Sequence, residues 1–282
     1  MIVTESAGLT DTGNRRKDNE DALLVDDGLG LYIVADGMGG HRAGEVASRL
    51  VIESMRRHIE CCRDGRVAAE KSPSDTTLSL EANQVLAGIL SSNRAVHTAA
   101  NGSGEYRGMG TTVALLKVSD RTLVAANVGD SSIFLVQKGL IERLSVLHTV
   151  MAEHEVADPL GTVRLGAEFS HVLTRAVGVN TTVEAHICEV PCFAGDVFVI
   201  SSDGLTDMVT PDEILATVAV HPPAEACRRL VDLANDRGGT DNITVIVLAI
   251  KKNLNGESKL KSLLSRVSES FASLGSKKQA VD

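Results

Sequence analysis

The segment Leu31-Tyr32-Ile33-Val34-Ala35-Asp36-Gly37-Met38-Gly39-Gly40-His41 joins a short apolar run to an acidic, glycine-rich turn. Five consecutive apolar residues read as a strand buried on both faces. The glycines that follow tolerate backbone angles closed to other residues, so the chain can turn sharply while holding a carboxylate at the strand end. Alone, the segment also reads as a strand-ending turn with a solvated Asp. The same design recurs, however. Val197-Phe198-Val199-Ile200-Ser201-Ser202 leads into Asp203-Gly204, and Gly238-Gly239-Thr240 leads into Asp241-Asn242 ahead of Ile243-Thr244-Val245-Ile246-Val247. Asn19-Glu20-Asp21 opens the apolar run Ala22-Leu23-Leu24-Val25. Carboxylates set at strand ends, far apart in sequence, point to one assembled site.

Such a site needs cations. Two carboxylates about 4 Å apart repel by roughly 4 kcal/mol at an effective dielectric near 20. A cluster of them must open, protonate or bind metal. Oxygen ligands without His or Cys favour Mg2+ or Mn2+ over zinc. Two such ions sharing a carboxylate activate a water and stabilise in-line displacement at phosphorus, so the reaction class is metal-assisted phosphate-ester hydrolysis.

The 282 residues allow one large domain or two small ones. Hydrophobic residues make up 43% of the chain and Trp is absent, so the core must be aliphatic. No apolar run reaches transmembrane length and Met1-Ile2-Val3-Thr4-Glu5 lacks a signal pattern, so the expected location is cytoplasmic. Cys61, Cys62, Cys188, Cys192 and Cys227 are an odd set without CxxC spacing, which favours reduced, mostly buried thiols. The net charge of −9 argues against nucleic acid as a partner. Residues 251–282 hold seven Lys/Arg against three Asp/Glu, a balance of +4 that leaves −13 for the rest.

Strands are expected over Val3–Ala7, Ala22–Val25, Leu31–Ala35, Thr111–Val118, Thr122–Asn127, Ile133–Gln137, Val183–Val190, Val197–Ser201 and Ile243–Ile250, with a hairpin turn at Lys138-Gly139. Helical spacing runs from Ala43 to about Ile59 and from Leu80 to Ala100, with a short stretch around Val150–Val156. Helices starting at proline cover Pro211–Val220 and Pro223–Asp236, and Cys61–Ser79 reads as a loop. Strands and helices do not alternate, so the class is α+β with mostly antiparallel sheets covered by helices. Domain limits are set at 1–252, with 253–282 a basic tail. Leu260, Leu263, Leu264, Val267, Phe271 and Leu274 could share one face of a tail helix, either docked on the domain, disordered, or contacting a partner or an anionic membrane surface.

A guanidinium forks onto phosphate oxygens, and Arg15, Arg16 and Lys17 stand just before the acidic triplet; spacing alone does not choose among them. Six motifs occur in order: Arg16-x-x-Asn19-Glu20-Asp21, Asp36-Gly37-Met38-Gly39-Gly40-His41, Gly108-Met109-Gly110-Thr111-Thr112, Val128-Gly129-Asp130-Ser131, Ser202-Asp203-Gly204-Leu205 and Gly239-Thr240-Asp241-Asn242-Ile243-Thr244. From about Thr10 to Ile250 the chain resembles the PPM (PP2C-type) metal-dependent serine/threonine protein phosphatases, particularly compact bacterial members. The resemblance implies a central β-sandwich of two mostly antiparallel sheets flanked by helices, with a two-ion Mn2+ or Mg2+ site between the sheets. It implies that Asp36 bridges both ions and the Gly37 carbonyl holds one. Asp21, or Glu20 through water, completes the first ion's surroundings. Asp203 and Asp241 hold the other, Asp130 with Asp203 takes a third, weaker ion, and Arg16 grips the phosphate. A metal-bridging water then attacks phosphorus, which leaves Ser201, Ser202, Cys188 and Cys192 structural. The implied substrates are phosphoserine and phosphothreonine proteins, and the implied partner is a bacterial Ser/Thr kinase, in a narrower reading one controlling a type VI secretion system.

The chain departs from the family pattern in three places. Met38 stands where eukaryotic relatives carry a His, with His41 nearby. Gly129-Asp130-Ser131-Ser132 lacks the common Arg, and Leu147-His148-Thr149 replaces Asp-His-Ser/Thr at the start of a flap over Ser145–His171, expected to shape substrate choice. The rival readings are a catalytically silent binding module of the same architecture, and another two-metal phosphoesterase such as a nuclease. The complete carboxylate set opposes the first and the acidic body opposes the second.

Overall fold

In the computed structural model, which describes residues 2–39, 43–66, 75–102, 104–119, 122–159, 161–163 and 165–253, strand β3 (Leu31–Ala35) is buried along its whole length. Its side chains alternate between two cores, as strand periodicity dictates. Leu31 and Ile33 face a cluster shared with helices, whereas Tyr32 and Val34 face the second sheet. Full burial of each such aliphatic side chain stabilises the fold by about 1.5–3 kcal/mol.

Ten strands build two antiparallel sheets. One is ordered β1 (Ile2–Asp11), β12 (Ile243–Asn253), β11 (Val197–Ser201), β8 (Ser132–Gln137), β9 (Leu140–Arg143). The other is ordered β10 (His186–Pro191), β7 (Thr122–Val128), β6 (Val113–Val118), β3, β2 (Ala22–Asp26). Tyr32, Leu116, Leu123, Phe198, Ile200, Ile246 and Leu248 fill the space between them. Helices α1 (Ala43–Arg63) and α2 (Leu80–Gly102) cover the second sheet: Val51, Met55 and Ile59 of α1 and Val85, Ile89 and Val96 of α2 form the inward stripes. Helices α5 (Pro211–Val220) and α6 (Pro223–Asp236) cover the first sheet through Ile214, Val218, Ala226, Leu230 and Ala234. This is the expected α+β sandwich. Pro211 and Pro223 open their helices, where a missing N–H has no partner to lose.

Several boundaries differ from expectation for local reasons. The run expected over Thr111–Val118 breaks into β5 (Gly110–Thr111) and β6, because the Thr112 N–H leaves the ladder to bond the Asp36 carbonyl at 2.8 Å. The two-residue β5 pairs with β4 (Gly37–Met38). Cys61 and Cys62 belong to the last turn of α1, and the strand expected from Val183 begins at His186. Lys138 (φ 52°) and Gly139 (φ 78°) both lie in the left-handed region that a two-residue hairpin needs, and this turn creates β9, which the sequence reading left out. All five cysteines are free; Cys192 and Cys227 are buried and the other three half-buried, fewer than expected. No helix among the described residues is long and apolar enough to cross a membrane. The tail helix expected over Leu260–Leu274, the rest of residues 254–282 and His41 lie outside the described residues.

Register sets the functional end. Ala22 pairs with Ala35, Val113 with Val128, Ser201 with both Ser132 and Val245, and Asp11 with Ile243. The start of β2, the end of β3, the β7–β8 turn, the end of β11 and the start of β12 therefore meet at one end of the sandwich.

Candidate metal centre

Each of those strand ends delivers an acidic residue. Asp36, Gly37, Glu20, Asp130, Asp203, Asp241 and Arg16 all line one cavity of about 630 Å3. Asp21 is only 7% exposed and stands behind the lining, close enough for Asp203 and Asp241 to act on its charge. The residues predicted from sequence are thus brought together from both sheets: Asp21 and Asp36 from one, Asp203 and Asp241 from the other, and Asp130 from the turn that links them.

Backbone geometry fixes the Asp36 turn. Asp36 N–H donates to Thr112 Oγ1 at 3.0 Å, and its carbonyl accepts from Thr111 Oγ1 and Thr112 N, both at 2.8 Å. The turn packs against the first turn of α1 so closely that a Cβ on Gly37 would lie 2.2 Å from the Gly44 carbonyl oxygen and 2.6 Å from that of Glu20. Only glycine allows this approach. Ser131 completes the support through a 2.7 Å bond to Thr112 Oγ1.

The final strand organises the acidic triplet. Asn242, 5% exposed, accepts from Glu20 N–H at 2.9 Å and donates to the Thr12 and Asp18 carbonyls, both at 3.0 Å. Ser202 donates to Asp21 Oδ2 at 2.8 Å and accepts from Thr244 N–H at 3.0 Å. Ser201 and Ser202 are fully buried and Cys188 and Cys192 lie off the cavity lining, as expected of residues that are not nucleophiles.

Burial, with neighbouring negative charge behind it, raises Asp36, Asp21, Asp130, Asp203 and Glu20 alike. Burial, then Asp21, Asp203 and Asp130, push Asp36 well above the usual carboxylate range. Burial pushes Asp21 up to about 7, and burial followed by Asp203 pushes Asp130 up to about 7. Asp203 is raised by burial and then by Asp241, and Glu20 is raised by burial. Two carboxylate oxygens, Asp21 Oδ1 and Asp203 Oδ1, are buried without a hydrogen-bond partner. Such atoms are costly unless something positive meets them. Together with an all-oxygen donor set, they fit hard divalent ions, which invert the local pKa logic.

Among the three basic candidates, Arg16 and Lys17 line the cavity and Arg15 does not. Arg16 Nη2 lies 2.6 Å from Asp241 Oδ2, and this bond raises the guanidinium pKa further. Arg16 is therefore tethered to one of the predicted ligands.

Sequence reasoning missed several members. Asp207 and His171 gather beside Asp203, with one oxygen or nitrogen atom from each residue within 4.8 Å of the others. Burial, then Asp203, push Asp207 up to about 6. The spacing Asp203-x-x-x-Asp207 on one helical turn, α4 (Asp203–Thr206) and its C-cap, was the available signal. Arg175, four residues beyond the flap, also lines the cavity and pairs loosely with Glu184 at 3.4 Å and Glu153 at 3.8 Å. The Leu147-His148-Thr149 segment is an anchor: His148 Nδ1 accepts from Gly129 N–H at 3.1 Å, and burial keeps His148 neutral with a pKa of about 4. Thr149 caps helix α3 (Val150–Ala157) by accepting from Ala152 N–H at 3.2 Å.

Comparison with known proteins places this geometry. The family model described as Protein phosphatase 2C matches residues 11–238. A putative protein phosphatase 2C-type from Streptococcus pyogenes is 33% identical over 248 residues, covering 85% of this chain and 94% of the relative. The catalytic domain of the serine/threonine protein phosphatase PstP, solved in complex with two manganese ions, superposes with a TM-score of 0.73 at 30% identity, covering 89% of this chain and all of the other. PppA, described as a key regulatory component of the type VI secretion system in Pseudomonas aeruginosa, superposes with a TM-score of 0.73 at 29% identity, covering 88% and 99%. A carboxylate cluster built for hard cations, an arginine at its rim and a family match across most of the chain lead to one conclusion: the chain belongs to the protein phosphatase 2C family, as a bacterial-type, metal-dependent serine/threonine protein phosphatase.

Proposed function

We propose that the cavity around Asp36 is the active centre, in which Asp36 and the Gly37 carbonyl would hold divalent ions. Asp21, or Glu20 through water, would complete the first ion's surroundings, and Asp203 and Asp241 would hold the second. Asp130 and Asp203, with Asp207 adjacent, would hold a third. The observation that carries this reading is the pair of buried, unpartnered carboxylate oxygens on Asp21 and Asp203, contributed by opposite sheets to one end of the sandwich. When bound, the ions supply an activated water and neutralise charge on the phosphoryl oxygens.

The chain's own groups do the rest. Arg16 presents a guanidinium whose remaining donors can fork onto the substrate phosphate while Asp241 fixes its position. Lys17 adds positive charge at the rim, opposing repulsion between a phosphate dianion and the acidic body. Met38 and Leu173 form an apolar wall that excludes water beside the reacting group.

The substrates are phosphorylated proteins, and the proposed partner is a serine/threonine kinase whose products this enzyme reverses in the cytoplasm. Residues 1–252 are assigned to the catalytic unit and 253–282 to a separate basic tail. The likeness to PppA favours, as a narrower reading, a kinase that controls a secretion system. The test of the site is phosphate release from a phosphothreonine peptide with Mn2+, with EDTA, and with Asp36→Asn. Manganese-dependent turnover that disappears in both controls is expected. Turnover in the folded variant would sink the assignment. Mn2+ binding by calorimetry without any turnover would favour the binding-module reading.

A further inference from the structure

Asn93 lies in α2, 1% exposed, and its entire carboxamide is committed to one loop that follows the flap. Nδ2 donates to the Asn180 carbonyl at 3.0 Å and to the Thr181 carbonyl at 3.2 Å, and Oδ1 accepts from Gly178 N–H at 2.7 Å. One turn further along the helix, Val96 presses on the same loop. Gly178 has φ +93°, and a Cβ there would lie 2.2 Å from Val96 Cγ1. The preceding residue, Val177, is paired in both directions with Thr111, at 3.0 and 2.9 Å. The loop is thus fixed to the helical layer on one side and to the Asp36 scaffold on the other.

Its outward face is open to solvent. Val179 is 48% exposed, and both Val179 and Asn180 line the metal cavity. Among the described residues the Asn180 carboxamide has no hydrogen-bond partner. A rigid wall carrying one apolar side chain and one free amide, beside a site that takes a phosphorylated side chain, has the chemistry to hold a peptide. The apolar group meets a neighbouring side chain and the amide pairs with main-chain N–H and C=O.

We propose that the loop Gly178–Thr181 is the subsite that contacts the substrate residue next to the phosphorylated one, with Val179 and Asn180 as specificity residues and Asn93 as the positioning residue that holds them. This rests on the reading of the Asp36 cavity as the active centre. A leucine core would leave Gly178 N–H and two carbonyls unpaired in the interior; an asparagine uses its two donor hydrogens and its acceptor to define the loop's position. Asn93 touches neither phosphate nor metal in this scheme, so its removal should separate peptide binding from chemistry.

The experiment compares full-length wild type, Asn93→Ala and the neighbouring buried control Ser92→Ala, whose hydroxyl has no hydrogen-bond partner. Two substrates are used: a phosphothreonine peptide, and para-nitrophenyl phosphate, which carries the phosphate without a peptide. Asn93→Ala is expected to raise the peptide KM about tenfold, as loss of oriented contacts does, with kcat changed by less than about twofold. The small ester's constants and the calorimetric Mn2+ affinity should move by less than about twofold, and Ser92→Ala should match wild type. An unchanged peptide KM in folded Asn93→Ala overturns the proposal. So does an equal loss on both substrates accompanied by weaker Mn2+ binding, which would make the loop a part of the Asp36 scaffold alone. If circular dichroism shows Asn93→Ala unfolded, Asn180→Ala replaces it as a surface variant, and there the peptide KM must rise at least about threefold or the proposal fails. Turnover surviving Asp36→Asn would instead overturn the location of the active centre, whatever Asn93 does.

Discussion

Replacing Asn242 with alanine removes the carboxamide that ties the acidic triplet's loop to β12. Three hydrogen bonds go with it: one from Glu20 N–H and one each to the Thr12 and Asp18 carbonyls. Each neutral bond contributes about 1 kcal/mol net, and a group left buried without a partner adds a further cost of about 1–3 kcal/mol. Glu20 is half-buried, so water can replace part of the loss there. A destabilisation of about 3 kcal/mol follows. With a urea m-value of about 3 kcal/mol/M, the midpoint should fall by about 1 M. The Asn242 backbone N–H still donates to Asp241 Oδ1 at 2.8 Å, so that carboxylate keeps its own anchor. The expected signature is therefore a shifted urea midpoint together with weaker Mn2+ binding by calorimetry, through displaced Glu20 and Asp21. A midpoint within about 0.2 M of wild type, with unchanged Mn2+ affinity, would refute the reasoning and show that the loop holds its own shape.

Asp203→Asn should abolish turnover while making the EDTA-treated protein more resistant to heat, because one buried negative charge leaves a repelling cluster; a lower melting temperature would contradict the electrostatic account. Arg16→Ala should raise KM for phosphate esters and, by freeing Asp241 of a competing cation, tighten Mn2+ binding several-fold in calorimetry; unchanged constants would place phosphate binding elsewhere. Without metal, Asp21 and Asp130 hold protons up to about 7 in the folded state but ionise near 3.8 when unfolded. The folded state binds more protons across that window, so their contribution in EDTA is full below about pH 4, is lost as pH rises to about 7, and does not change further above it. Saturating Mn2+ should abolish that decline, and urea melts at pH 5 and 7.5 check both statements.

Legibility followed the range of the interactions. Asp36, Asp203 and Asp241 could be read because each combines a strand run with a neighbouring glycine, a local pattern. The sandwich's strands were visible for the same reason, apart from β9, whose exposed side chains lack alternation. Arg16 and Lys17 could not be separated from Arg15 by spacing, since only the fold turns two of them inward. Asp207 and His171 were missed because α4 spans four residues, too short for any periodicity, and His171 comes from an irregular flap. Asn242 and Asn93 act through contacts 222 and 85 residues away, which no local pattern encodes.

The inter-sheet core has a consequence for tuning the enzyme. Carboxylates on opposite sheets can meet common ions only if the sheets stand at the correct separation, about 10 Å in packed sandwiches. Tyr32, Leu116, Phe198 and Ile200 fill that gap, so they act as a caliper on the acidic end. Val34 and Ile200, at the end of the caliper nearest Asp36 and Asp203, set the gauge most directly. Volume changes there should alter preference between the smaller Mg2+ and the larger Mn2+ without touching a ligand, giving selection a route to metal choice through the hydrophobic interior.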